Sequence, residues 1–192
     1  MSSLKSPSLP SRGEPRPGPT PQGPVNGRIA IVPHDPKWPY LFRQEADRIR
    51  GALGERALTI EHVGSTAVPG LDARPCIDVL MVVDDPDDGS TYLPELERAG
   101  YSMSVRSTDR VEYRLLKGSR VNVNLFVFSE NCAEPRRMRA FRDLLIADEE
   151  ARERYAAFKR ELGERTWERL QDYIDARNGI VAELMTRVPD AE

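Results

Sequence analysis

His62-Val63-Gly64-Ser65-Thr66-Ala67-Val68-Pro69-Gly70-Leu71, then Asp72 and Ala73, then Arg74-Pro75-Cys76-Ile77-Asp78-Val79-Leu80-Met81-Val82-Val83, is the stretch that decides the fold. From Cys76 to Val83 every side chain is apolar except Asp78, the pattern of a strand covered on both faces and placed centrally in its sheet. Ala57 to Val63 alternates as a second strand, and Gly64-Ser65-Thr66 breaks it sharply. A strand ending in Gly-Ser exposes backbone N–H groups where the chain turns, and a hydroxyl beside them completes the outline of a phosphate cradle. Thirteen residues after Ser65, Asp78 stands alone in its apolar strand. An ionised carboxylate there is costly unless it meets a cation or hydrogen-bond donors, so Asp78 needs a partner.

Upstream, residues 1–27 hold seven of the sixteen prolines and four glycines with almost nothing apolar. Such a segment cannot offset the entropy of ordering, and a disordered Pro-rich tail is expected there. Order is expected from Arg28, with Ile29, Ile31 and Val32 as a short strand. Asp35-Pro36 then starts a helix whose apolar residues Leu41, Phe42, Ala46 and Ile49 recur at helical spacing until Gly54. Downstream, Leu93 to Ala99 predicts a helix, and Tyr101–Val105, Val111–Leu116 and Val121–Phe128 predict three strands, the last two joined across Lys117-Gly118-Ser119. Beyond Glu134-Pro135 the period becomes helical, with one helix at Phe141, Leu144 and Leu145, a second from Ala151 to Leu162, and a third from Trp167 to Leu184. The expectation is one α/β (α+β) domain over residues 28–188, a mixed central sheet with flanking helices and a helical C-terminal section.

Composition excludes several classes of function. The 28 Lys and Arg nearly balance 31 Asp and Glu, for a formal net charge of -3. That disfavours a nucleic-acid partner, which requires uncompensated cations. Two Cys and two His, far apart, do not make the four ligands of structural zinc. The acidic run Asp84-Asp85-Pro86-Asp87-Asp88-Gly89 lacks the Glu that closes an EF-hand and reads as a solvated turn. No apolar run approaches a membrane span and no signal peptide is evident, so no membrane partner and a cytoplasmic location are expected. A Ser-His-Asp hydrolase has little to stand on without Gly-x-Ser-x-Gly.

The segment His62 to Asp78 resembles the GrpB family, a group within the nucleotidyltransferase-like superfamily. The family's stretch is a His, a hydrophobic residue, Gly-Ser-Thr, Val-Pro-Gly-Leu, a basic residue before Pro, and an Ile-Asp strand, which these residues match nearly position for position. The likeness continues through Val32-Pro33, Trp38-Pro39, Phe141-Arg142-Asp143 and Tyr155 to Leu162 with Lys159, over about residues 28 to 185. The resemblance implies a sheet of the nucleotidyltransferase-like type. It also implies binding of a nucleoside triphosphate with Mg²⁺ and transfer of a nucleotidyl group to a small-molecule acceptor, chemistry that neutralises phosphate oxygens while the reacting groups are held in line.

The site residues expected on this basis are Gly64, Ser65, Thr66 and Arg74 against phosphate, Asp78 as metal ligand and catalytic residue, His62 as a further catalytic residue that also positions the ligand, and Asn122, Asn124 and Arg142 in positioning the ligand. Two departures count against catalysis. Leu80 stands where a second carboxylate would share the face of Asp78, and Asn122 and Asn124 stand where relatives commonly carry His-x-His. Glu112, on one strand face with Arg110 and Arg114, is a candidate for the missing catalytic and metal ligand, with Arg114 as a phosphate contact; the competing reading of Glu112 is a solvated outer face. Arg137 ranks behind Arg142, and Lys159 and Arg177, at family-like basic positions on helices, rank last among the candidates because a charge on a helix is usually solvated. Two alternatives stay open: a noncatalytic nucleotide-binding or interaction module, and a pathway enzyme that uses the same pocket for another condensation.

Overall fold

A computed structural model describes residues 24–105 and 113–188. The central five-stranded sheet is built from β2 (Thr59–Val63), β3 (Ile77–Val83), β4 (Tyr101–Val105), β5 (Tyr113–Gly118) and β6 (Val123–Ser129), in the order β2-β3-β6-β5-β4. β3 and β6 are parallel and every other neighbouring pair is antiparallel, so the sheet is mixed, as the sequence predicts. The apolar run containing Asp78 is interior, between β2 and β6.

Alternation along the strands divides the sheet into two faces. Ile77, Val79, Met81, Val123, Leu125 and Val127 point to one face, where they pack with Trp38, Ile49 and Leu53 of α1 (Trp38–Leu53) and Leu96 of α2 (Leu93–Arg98). Leu80, Val82, Leu115, Phe126 and Phe128 point to the other, against Cys132 and Met138 of the segment containing α3 (Ala133–Ala147). Asp78 has the parity of Leu80 and therefore lies on this second face.

The helical C-terminal section comprises α3, α4 (Glu149–Glu164) and α5 (Leu170–Met185). It is fastened to the sheet by the residues after the Gly-Ser turn: Val68 and Leu71, both fully buried, pack with Leu145, Tyr155, Ile180 and Leu184. Gly70, at φ +75°, lets the chain reverse between them. The Val-Pro-Gly-Leu stretch is thus the hinge pin between sheet and helices, and it fixes the turn that precedes it.

Three boundaries differ from the sequence reading. The first strand, β1, is Pro24–Arg28, and Val32 makes only a bridge to Ala73, with paired hydrogen bonds of 2.9 Å. Its partner is β7 (Thr166–Arg169), so Trp167, expected in a helix, is extended opposite Gly27. The indole Nε1 donates to the Leu162 carbonyl at 2.9 Å, which holds Trp167 under the end of α4. Asp35 caps the turn before α1, accepting from the Lys37 N–H at 2.9 Å, and the helix itself begins at Trp38.

Because Leu71 joins the turn to the helical layer, Leu71→Ala is expected to cost about 2–5 kcal/mol through lost burial and a residual cavity, read as a lowered urea midpoint at unchanged slope.

Candidate functional site

Gly64 ends β2 at φ +72°, and a Cβ there would collide with the Asp78 carboxylate, so only glycine allows this approach. The turn and the acid therefore meet, as their spacing suggests. Opposite Asp78 in the parallel register stands Asn124. Its Nδ2 donates to Asp78 Oδ1 at 2.6 Å, while its Oδ1 accepts from Lys117 Nζ. Burial pushes the Asp78 carboxyl above its ordinary range, opposed by the charge of Arg74, the Asn124 hydrogen bond and the charges of Arg177 and Lys117. Asp78 has found the donors and cations it needs.

Gly64, Ser65 and Asp78 open into a cleft of about 180 Å³ whose far walls come from α3 and α5. Arg137, Arg177, Asn178 and Glu134 supply its other polar groups, and Met138, Phe141, Ile174 and Val181 a continuous apolar wall. Arg177 sits against Tyr155, Tyr173 and Asp78, and its buried Nε has no hydrogen-bond partner among the described residues. Arg177 lines the cleft, so its guanidinium is the cation that α5 offers there.

Behind Ser65 lies Lys159 of α4, 1% exposed. Its Nζ is 2.9 Å from Ser65 Oγ and 2.6 Å from the Asp72 carbonyl oxygen, and lies 4.6 Å from the centre of the Tyr155 ring. Burial, with Arg177 adding to it, lowers its pKa to about 7.

Residues 28–187 match the family described as GrpB protein, five-sixths of the chain. The chain belongs to the GrpB family. It is 48% identical over 164 residues to UPF0157 protein BH1888 of Halalkalibacterium halodurans, which covers 85% of this chain and 84% of that protein. The crystal structure of the conserved protein GrpB from Enterococcus faecalis superposes with a TM-score of 0.67 at 25% identity, over 80% of this chain and 98% of the other. Cid1 poly(U) polymerase, solved with Mg 3'-dATP, aligns at TM-score 0.48 and 16% identity over 67% of this chain and 41% of its own, too distant to carry activity across.

This GrpB chain brings some of the expected residues into the cleft and sends others elsewhere. Gly64, Ser65 and Asp78 line it, and Asn124 reaches it through Asp78. His62 does not face it. The ring shares the parity of Ile60, on the α1 face, and stacks on Phe42 at 4.7 Å with planes 7° apart. Thr66, buried, gives its hydroxyl hydrogen to the Cys76 carbonyl at 3.1 Å, so in the 3.0 Å contact with His62 Nε2 the ring is the donor. Burial, helped by the charge of Arg142, lowers the His62 pKa to about 4. His62 and Thr66 hold the turn in place, as a neutral pair.

Arg142 is likewise spent on structure: Nη1 donates to Glu61 Oε2 at 3.1 Å and to the His62 carbonyl at 3.0 Å, and Nε to Asp143 Oδ1 at 2.7 Å. Arg137, ranked second from the sequence, is the α3 arginine that lines the cleft. Asn122 donates to the Pro75 carbonyl at 2.9 Å and secures the entry to β3. Arg74 acts on Asp78 and Cys76 by its charge, at the end of β3. Arg114 has the parity of Leu116 and so lies on the α1 face, where Nη2 donates to the Asp87 carbonyl at 2.6 Å; it cannot contact phosphate beside Asp78. Glu112 lies outside the described residues.

Lys159, read as a solvated helix charge, is the residue sequence reasoning most undervalued. The signal was its phase: Ala151, Tyr155, Lys159 and Leu162 form one buried stripe, and Arg177 similarly falls between Tyr173, Ile174 and Ile180 on α5. The expected Mg²⁺ centre fares less well. Among the described residues no three His, Cys, Asp or Glu side chains cluster, and Leu80 is fully buried where a second acid would share the face of Asp78. Asp78 is in addition ringed by cations. The described donor set does not fit a protein-held Mg²⁺ site, and suits anion binding and proton transfer. Among the described residues no helix is long and apolar enough to cross a membrane.

The buried lysine has a measurable signature. Between its folded pKa of about 7 and its ordinary 10.5 the unfolded chain holds a proton that the folded chain does not. Stability should therefore rise as pH climbs from about 7 toward 9, with the full penalty present below 7. Lys159→Met is expected to raise the urea midpoint near pH 6 and to flatten this dependence.

Proposed function

We propose that this GrpB protein binds the phosphates of a nucleoside triphosphate in the cleft between the Gly64-Ser65 turn and α5, and transfers a nucleotidyl group from it to a small-molecule acceptor. The observation that carries the reading is convergence: a glycine-hydroxyl turn, an acid on the neighbouring strand and two arginines line one cleft. Arg137 and Arg177 offer planar forks suited to phosphate oxygens, with Arg74 and Lys117 adding positive potential around Asp78. The wall of Met138, Phe141, Ile174 and Val181 suits the apolar face of a base. The cleft is smaller than the roughly 300–1,000 Å³ of pockets that enclose a whole drug-sized ligand. It therefore takes phosphate at its depth and leaves the rest of the ligand at its mouth.

The transfer half of the reading rests on the family resemblance and on Asp78, whose raised carboxyl pKa suits a general base that receives the proton of the acceptor as it attacks. In this reading the protein's own cations neutralise the phosphate oxygens, and a divalent ion, where used, arrives with the nucleotide.

Calorimetry with the four nucleoside triphosphates, in Mg²⁺ and in EDTA, tests the proposal. At least one should bind in EDTA, and Arg177→Met should weaken that binding by about 10–100-fold, the range for a charge-assisted hydrogen bond of about 1.5–3 kcal/mol. Asp78→Asn should preserve metal-free binding within a few-fold and abolish release of pyrophosphate in the presence of acceptor extracts. Binding without any pyrophosphate release from the wild type would reduce the protein to a nucleotide-binding module. Failure of all four to bind would end the nucleotide reading.

A further inference from the structure

Among the described residues, Lys159 has no anion of its own. Its partners are a hydroxyl, a carbonyl and an aromatic face: Ser65 Oγ at 2.9 Å, the Asp72 carbonyl oxygen at 2.6 Å and the Tyr155 ring. The Asp72 carboxylate, the acid nearest to hand, is held by Arg160 at 2.6 Å. The other groups facing Lys159 are the Tyr155 phenol on its own helix and, from α5, the Arg177 cation, which makes its charge harder to keep. A buried ammonium in such surroundings is costly until an anion comes near.

We propose that Lys159 is a positioning residue that sets the hydrogen-bond polarity of Ser65, so that the cleft selects a fully ionised oxyanion and takes up a proton as it binds. The inference rests on the phosphate-binding half of the function proposed above. Its logic is the count of donors and acceptors. A neutral amine has two hydrogens and one lone pair, whereas an ammonium has three hydrogens and no lone pair. With Lys159 neutral, the Asp72 carbonyl and the Tyr155 face take its hydrogens and the Ser65 hydroxyl gives its own hydrogen to Nζ. The Ser65 lone pairs then face the cleft and repel an anion. With Lys159 protonated, Ser65 Oγ must accept from Nζ, and its single O–H is left to point at the ligand. Protonation and anion binding thus favour one another, and each shifts the other by the same factor. Burial holds Lys159 near neutrality, so the exchange falls in the working pH range. His62, lowered to about 4, and Cys76, raised to about 12, stay out of it, and Asp78, pushed up in the same cleft, is told apart by the Lys159→Arg variant, which leaves it in place.

Sulfate is the probe, since it remains a dianion throughout. Its binding is followed by calorimetry at pH 8 in two buffers of different ionisation enthalpy, which reports the protons taken up. The wild type should take up close to one proton per sulfate, and its affinity should fall by up to about tenfold per pH unit above 7. Lys159→Arg, permanently charged, should bind with no uptake and no pH dependence, and Lys159→Met should likewise lose both if arginine does not fit. Ser65→Ala should lose most of the uptake; full uptake in that variant would mean that Lys159 acts by charge alone and would overturn its role through Ser65. Sulfate binding without proton uptake in the wild type, or no sulfate binding, would also overturn the inference. Nucleoside triphosphates that bind while uptake is absent would leave the nucleotide reading intact, and uptake with sulfate while no nucleotide binds would remove that reading alone.

Discussion

The approach of Gly64 to Asp78 is the constraint on which this molecule turns. A strand end must come within contact distance of a carboxylate on its neighbour, and the backbone does so at φ +72° with no side chain in the way. Much of the surrounding structure serves that contact. The parallel pairing of β3 with β6 puts Asn124 opposite Asp78, His62 and Thr66 pin the turn from the α1 side, and Val68 and Leu71 anchor its C-terminal end in the helical layer. Each costs little alone. Together they hold an acid, a hydroxyl and a ring of cations in one place, which is the preorganisation an anion site requires.

The helical layer supplies what the sheet lacks. β2 and β3 bring a turn and an acid, Arg74 and Lys117 at the sheet supply part of the counter-charge, and α3, α4 and α5 add Arg137, Lys159 and Arg177. Excess cation next to Asp78 explains how a carboxylate survives in an apolar strand, and the same layer holds Lys159 against a hydroxyl, a carbonyl and an aromatic ring with no carboxylate of its own among the described residues. Leu80, at the position where a second acid would share the face of Asp78, belongs instead to the core with Phe126 and Leu115.

How much of this could be read from the chain alone depends on the range of the interactions. Local signals carried far: the Gly-Ser break, the lone Asp in an apolar strand, and Gly54 and Gly100 closing helices all stand where the sequence puts them. Features that required distant partners were harder. Thr166 to Arg169 has nothing local that demands an extended chain, since its strand exists only by pairing with Pro24–Arg28. His62 was misplaced because the motif drew attention to its neighbours, although the parity it shares with Ile60 already assigns it to the opposite face from Val63. Arg137 and Arg142 differ in role only because Glu61, some eighty residues earlier, captures the second of them. Lys159 shows the cost of treating charge as a surface label, for its helical phase placed it among buried residues from the start.

The small ribbon of β1 and β7 bears on the order in which the protein comes together. It joins Gly27 to Trp167, roughly 140 residues apart, and the α5 wall of the cleft is synthesised after the sheet that forms its floor is complete. During translation the sheet can close on α1 and α2 while the Gly-Ser turn waits bare, and only the last quarter of the chain gives Ser65 its lysine and Asp78 the second of its arginines, Arg177. Contacts of such separation are slow to form. A nascent chain halted before α5 would therefore have its acid, its cradle and the cations Arg74, Lys117, Arg137 and Lys159, but neither Arg177 nor the last wall of the cleft.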